Sequence, residues 1–252
     1  MEYVLFTFLL ALTFLFLFSG SVYGDDLQDG FDAAQRQDYK TAHRLWLPLA
    51  EQGFASAQYN LGVMYDNGTG VPQDYKEAVR LYRLSAEQGN ARGQHQLGKH
   101  YNFGQGVPQD YKEAVRLYRL SAEQGLWNAQ ESLGSMYYHG EGVSQDYQEA
   151  IKWIQLSARQ GSAWGQYNLG TMFQNGEGTS KNYNEAVKWY RLSAEQGNEK
   201  AQYNLGMIYE LGKGVPQDYK EAIKWYQLSA EQGYADAQHN LELIYKKTQM
   251  NN

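Results

Sequence analysis

Residues 70–89 read GVPQDYKEAVRLYRLSAEQG, and the same letters return at residues 106–125. The glycine that closes this stretch recurs every 36 residues, at Gly53, Gly89, Gly125, Gly161, Gly197 and Gly233. A Leu-Gly pair keeps the same period, with its glycine at Gly62, Gly98, Gly134, Gly170 and Gly206. A fixed period of 20 to 50 residues is typical of stacked repeats, so the repeat decides the fold.

Each repeat predicts two helices. In the first, the A helix, Ala57, Leu61 and Met64 have helical spacing, and Asn67-Gly68 is a stop signal. After a glycine- and proline-containing connection, Asp74 begins the second, the B helix, with Glu77 completing a capping box. Glycine inside a helix costs about 1 kcal/mol, so Gly62 predicts a close approach of the B helix.

The order of segments follows from this period. Residues 1–24 are expected to be a signal peptide, residues 25–53 an N-terminal capping helix pair, residues 54–233 five repeats, and residues 234–252 a C-terminal capping helix and tail. The fold class is all-α, a solenoid of antiparallel helix pairs.

The first segment predicts export. Val4 to Phe18 is almost entirely apolar, shorter than a membrane span, and small residues follow before an expected cut after Gly24. The expected location is periplasmic or secreted. Since Glu2 stands where a basic residue is usual, an uncleaved anchor formed by residues 4–18 is the alternative.

Composition excludes several classes of protein. The 252 residues carry a formal net charge of -6 without a basic stripe, which argues against a nucleic-acid partner. There is no cysteine, so neither a disulfide framework nor a lipid-attachment cysteine is possible. The five histidines have no recognised metal spacing and are expected at the surface or in a groove. The Gly-x-Gly stretches follow no strand and are interpreted as loops, not dinucleotide sites. No cofactor, metal or catalytic residue is predicted.

The repeat unit A-x-A-Q-Y-N-L-G-x-M-Y-x-x-G-x-G-V-P-Q-D-Y-x-E-A resembles the Sel1-like repeat, a longer-looped relative of the tetratricopeptide repeat, over residues 25–247. The resemblance implies a right-handed superhelix whose A helices line a concave groove, and a scaffold or adaptor role. Some relatives are cysteine-rich exported proteins with hydrolase or β-lactam-binding activity. The absence of cysteine disfavours that alternative here. A structural envelope spacer is the other alternative.

The variable positions of the A helices predict where a protein or peptide partner binds. Positions held by packing barely change between copies, whereas the positions of Lys99, Tyr138 and Trp164 differ in every copy. The predicted partner-binding residues are Arg92, Lys99, Glu131, Tyr138, Trp164, Tyr167, Lys200, Tyr203 and Glu210. Aromatic and arginine side chains dominate binding hot spots, which makes Trp164 the first candidate anchor. Trp127 and Trp164 could alternatively fill gaps between neighbouring A helices.

Overall fold

The computed structural model describes residues 25–250, with side chains described to residue 247, and thirteen helices account for the regular structure of this part. The helices span residues 25–35 (α1), Tyr39–Glu51 (α2), Ala55–Asn67 (α3), Tyr75–Glu87 (α4), Ala91–Phe103 (α5), Tyr111–Glu123 (α6), Trp127–His139 (α7), Tyr147–Arg159 (α8), Ala163–Asn175 (α9), Tyr183–Glu195 (α10), Glu199–Leu211 (α11), Tyr219–Glu231 (α12) and Ala235–Met250 (α13). They form an all-α solenoid of helix pairs, as the period predicts.

The chain forms two compact units, the first ending at Leu117 and the second beginning at Tyr118. In the first, α2 packs on α3, α3 on α4 and α4 on α5. In the second, α7 packs on α8, and the same stepwise packing continues to α13. Within each unit these helices therefore contact their neighbours in sequence, which is how a repeat protein buries its core.

The ends of the helices follow from local sequence. Gly68 ends α3 with a positive φ of 67°, where its N–H bonds to the carbonyl of Met64. Asp74 begins α4 by accepting hydrogen bonds from the N–H groups of Lys76 and Glu77. The predicted capping box is only half confirmed, because Glu77 does not take part in it. Glu77 pairs with Arg80 at 2.6 Å, and the Asp74 N–H donates to the Tyr65 carbonyl, so no donor is left for Glu77 to cap.

The close approach predicted at Gly62 is confirmed, and its partner is Tyr82. A Cβ at Gly62 would lie 2.7 Å from the Tyr82 ring. Gly206 meets Tyr226 in the same way at 2.5 Å. Tyr82 and Tyr226 are fully buried, so the missing Cβ makes room for a buried tyrosine ring of the B helix.

Glutamines tie each A helix to both flanking B helices. The Gln58 amide of α3 donates to the Ala50 carbonyl of α2, and the Gln88 amide of α4 donates back to the Gln58 side-chain oxygen. The second unit repeats this arrangement between Gln196 and Gln166 and between Gln232 and Gln202. These buried bonds explain why glutamine recurs at a core position, where an unpaired amide would be costly.

The Gly-x-Gly connections are packing elements. A Cβ at Gly70 would lie 2.5 Å from the Tyr39 Cβ, and one at Gly214 would lie 2.6 Å from the Tyr183 Cβ. Both glycines have positive φ. The connection of one repeat thus rests on the start of the preceding B helix.

The expected signal peptide lies outside the described residues. Within residues 25–250, no helix is both long and apolar enough to cross a membrane. The first core cluster of the described residues contains Ala33, Ala42, Trp46, Leu49 and Leu61.

Candidate partner-binding surface

The predicted partner-binding residues all lie on A helices. Arg92 and Lys99 are exposed on α5 in the first unit. The other seven lie in the second unit, on α7, α9 and α11, and together define what we call the A-helix face: Glu131, Tyr138, Trp164, Tyr167, Lys200, Tyr203 and Glu210.

Trp164 is the most exposed aromatic side chain of this face. It is 44% exposed and Trp127 is 45% exposed, so neither side chain is buried in the core. The Tyr167 ring meets Trp164 edge-on at 5.8 Å, and the Lys200 ammonium lies 5.2 Å from the indole centre. Two neighbours therefore hold Trp164 in place while nearly half of its surface stays in contact with solvent.

Tyr203 and Glu210 belong to a second group of contacts on α11. The Tyr226 hydroxyl donates to the Glu210 carboxylate at 2.9 Å. The Asn240 amide donates to the hydroxyls of Tyr203 and Tyr226 at 3.3 and 3.4 Å, and the Tyr203 and Tyr234 rings lie 5.2 Å apart. Sequence reasoning missed Asn240 and Tyr234 because both lie in the terminal repeat, which it treated as a cap.

Tyr138 sits at the C-terminal end of α7, where its hydroxyl donates to the Glu177 carboxylate at 3.0 Å. Burial, followed by this bond to a carboxylate, raises the pKa of Tyr138 to about 12, so the phenol stays protonated. Glu177 was not predicted. The sequence nevertheless shows that this position varies between repeats. The middle residue of Gly-x-Gly is Thr69, Gln105, Glu141, Glu177 and Lys213 in successive copies.

Glu131 replaces the tyrosine found at the matching position of α3, α9 and α11. Its carboxylate accepts a hydrogen bond of 2.8 Å from Ser162, the residue that caps α9. Burial raises the pKa of Glu131 above its usual range, and the bond from Ser162 offsets only part of that effect. The B helix also differs here, because Ile154 stands where other copies have tyrosine.

The surface position expected for the histidines is wrong for His95 and His100, which are 7% and 2% exposed. At the position of His100, the other repeats have a buried methionine or isoleucine, so the burial of His100 could have been predicted from the other copies. Its Nε2 faces Asp66 at 3.3 Å and its Nδ1 faces the Gln105 carbonyl at 2.8 Å. Both ring nitrogens therefore lie within hydrogen-bond distance of oxygen atoms from neighbouring segments.

Asp66 is the acidic member of this pair. Burial opposes its ionisation, but hydrogen bonds from His100 and Tyr82 outweigh burial and lower its pKa. The pair joins α3 to α5. Among the described residues, no group of three or more potential ligands has the arrangement for a metal ion.

Comparison with known proteins identifies this architecture. Six stretches match the Sel1 repeat: residues 24–54, 55–90, 91–126, 127–162, 165–198 and 199–234. The chain belongs to the Sel1 repeat family. No curated protein matches it.

Solved structures of Sel1 repeat proteins superpose closely. A protective antigen of uropathogenic Escherichia coli is 37% identical, with a TM-score of 0.84 over 91% of this chain and 50% of that one, so this chain spans half of its length. A Sel1 repeat protein of Oxalobacter formigenes is 32% identical, with a TM-score of 0.82 over 90% and 91% of the two chains. The pilF protein of Pseudomonas aeruginosa is 17% identical, with a TM-score of 0.64 over 92% of this chain and 99% of that one. At this identity the likeness shows a shared fold alone.

Sel1 repeat proteins are typically protein-interaction scaffolds without catalytic activity. That role agrees with the chemistry of the A-helix face, which offers aromatic rings, carboxylates and one lysine. The buried Gln58 amide is used in packing, where it donates to the Ala50 carbonyl.

Proposed function

We propose that this chain is a non-enzymatic scaffold that binds a partner protein, or an extended segment of one, on its A-helix face. The observation that carries the proposal is the half-exposed Trp164, held by Tyr167 and Lys200. A large aromatic side chain that is already fixed loses little conformational freedom on binding, so most of its buried area contributes to affinity.

The test is the substitution Trp164→Ala in a capture experiment with extracts of the native organism. If Trp164 is an anchor, partner binding weakens by about 2 kcal/mol or more, whereas the free energy of unfolding changes little because the side chain is half exposed. Leu192→Ala is the matched control, since Leu192 is 45% exposed on the B helix α10. Unchanged binding by the Trp164→Ala protein would place the anchor elsewhere.

The same proposal includes three further points. The segments are residues 1–24, 25–53, 54–233 and 234–252, the protein is exported to the periplasm or the medium, and it has no enzymatic activity. Support for a non-catalytic role comes from the described side chains, whose one buried acid–histidine pair links two helices. Turnover in a panel of esterase, peptidase and β-lactamase substrates, lost on substituting one residue of the A-helix face, would refute it.

A further inference from the structure

Four aromatic rings of the second unit lie on or beside its A helices, and we call them the aromatic group: Trp164, Tyr167, Tyr203 and Tyr234. Trp164 and Tyr167 on α9 meet edge-on at 5.8 Å. Tyr203 on α11 lies 5.2 Å from Tyr234, the residue that precedes α13. Lys200 of α11 reaches back to α9, where its ammonium lies 5.2 Å from the Trp164 ring centre. These contacts join three successive A helices into one surface.

The Tyr234 phenol links the two pairs of rings. Burial and then Asp236 raise the pKa of Tyr234, and the phenols of Tyr167 and Tyr203 act in the same direction. Such an effect requires the three phenols to lie near one another. The tyrosines therefore surround the half-exposed Trp164 as one group of rings.

The polar atoms that this surface leaves unpaired are hydrogen-bond donors. Within residues 25–247, no hydrogen-bond or carboxylate partner is described for four of them: the Trp164 indole N–H, the Tyr167 and Tyr234 hydroxyls and the Lys200 ammonium. An indole N–H and an ammonium only donate, whereas a phenol donates and accepts. The Tyr203 hydroxyl differs, because it already accepts from the Asn240 amide at 3.3 Å. Aromatic rings and unused donors thus lie side by side.

Proline is the residue whose chemistry matches this combination. Its ring packs on aromatic side chains, and its backbone offers a carbonyl acceptor without an N–H. Every other residue brings an N–H group, which must leave water and find an acceptor when the segment binds. Runs of proline also hold the polyproline II conformation before binding, so they lose little conformational freedom.

We propose that the aromatic group binds a proline-rich segment of a partner protein in the polyproline II conformation. Proline rings of the segment contact the Trp164 and Tyr203 rings. Carbonyls of the segment accept hydrogen bonds from the Tyr167 and Tyr234 hydroxyls. This inference rests on the proposed function and names the chemistry of the partner.

The probe is a fluorescein-labelled peptide of eight prolines. A labelled peptide of four Gly-Ser pairs has the same length, but it is flexible and carries backbone N–H groups. Fluorescence polarisation with the purified protein is expected to show the proline peptide binding about tenfold tighter than the Gly-Ser peptide, because it is already ordered. Since the proline segment is uncharged, raising the salt concentration should change its affinity less than about twofold.

Variants locate the contacts. Trp164→Ala should weaken the proline peptide about tenfold or more, because the indole is the central anchor. Trp127→Ala is the matched control, since it removes an equally exposed indole from α7 outside the aromatic group, and it should leave the affinity unchanged. Tyr167→Phe and Tyr234→Phe keep the ring and remove only the hydroxyl, so each should weaken the peptide about threefold or more. Circular dichroism checks that each variant is folded.

Three results would overturn the inference. The first is equal binding of the proline and Gly-Ser peptides, and the second is an equal loss of affinity with Trp127→Ala and Trp164→Ala. The third is binding of labelled cellohexaose in place of the proline peptide, which would assign the rings to a carbohydrate.

The two proposals fail differently. If the proline peptide does not bind, yet Trp164→Ala weakens capture of cellular partners, the proline inference is wrong and the scaffold function stands. If the proline peptide does not bind and Trp164→Ala leaves that capture unchanged, both are wrong.

Discussion

At the scale of single residues, Gly62 shows how one missing carbon determines the packing of a repeat. Alanine favours a helix over glycine by about 1 kcal/mol, yet a Cβ here would come within 2.7 Å of the fully buried Tyr82 ring. We therefore expect Gly62→Ala to lower the free energy of unfolding by about 1–3 kcal/mol, since overpacking outweighs the helix propensity. Urea denaturation measures the change.

The matched control for Gly62 is built into the sequence. Glu242 occupies the same column in α13 and is exposed, with no B helix packed over it in the described structure. Glu242→Ala should leave stability within about 0.5 kcal/mol. Equal effects of the two substitutions would show that close approach is not the reason for the glycine.

His95 predicts a dependence of stability on pH. Burial, followed by repulsion from Lys99, lowers the His95 pKa to about 4 from its usual value near 6.5. A lowered histidine pKa means that the unfolded chain binds the proton first, so stability is complete above about pH 6.5 and is lost as pH falls towards 4. The loss approaches about 1.4 kcal/mol per pH unit between these values.

His95→Tyr restores the residue found at Tyr59, Tyr167 and Tyr203 and removes this titration. Unfolding free energies of both proteins at pH 7.5, 6 and 5 test the prediction. The variant should lose less stability on acidification than the parent, and parallel curves would contradict the assignment.

At the scale of helices, the sequence predicts well where each helix begins and ends, because single residues determine these positions. Gly68 at positive φ and Asp74 as cap are local features that need no knowledge of the rest of the fold. The role of Glu77 was mispredicted because it depends on a distant group. The Tyr65 carbonyl takes the N–H that Glu77 would have bonded.

The two halves of the predicted capping box should therefore differ in energy. Asp74→Ala removes bonds of 2.9 and 3.1 Å to backbone N–H groups and should cost about 1 kcal/mol. Glu77→Ala removes only an exposed pair with Arg80 and should cost about 0.3–0.5 kcal/mol. Denaturation curves of the two variants compare them directly, and equal losses would favour an intact box.

The binding surface is harder to predict from the sequence than the helices are. Variation between copies identified positions on α5, α7, α9 and α11, but it does not distinguish a solvent-facing side chain from a buried substitution. Trp164 and Glu131 both differ from the other copies, although one is 44% exposed and the other is partly buried with its carboxylate bonded to Ser162. Glu177 was missed because a connection was interpreted only as a loop, whereas its side chain reaches back to Tyr138.

At the scale of the whole molecule, the first described helix already belongs to a core cluster. Trp46 donates its indole N–H to the Leu27 carbonyl at 3.2 Å, and the Phe31 ring meets Trp46 edge-on at 5.4 Å. Ala33 is fully buried in the same cluster. A chain that begins at Asp25 thus keeps the contacts of this cluster that the described residues make.

We therefore predict that the mature protein, isolated from its native compartment, has the intact mass of residues 25–252, and that a recombinant chain starting at Asp25 is folded. A chain starting at Tyr39 is the matched control. It lacks Leu27, Phe31 and Ala33, so it should unfold with a loss of about 3 kcal/mol or more, in line with large apolar truncations. Retention of residues 1–24 in the native protein would instead favour the anchor formed by residues 4–18, and equal stability of the two recombinant chains would show that α1 is dispensable for the first cluster.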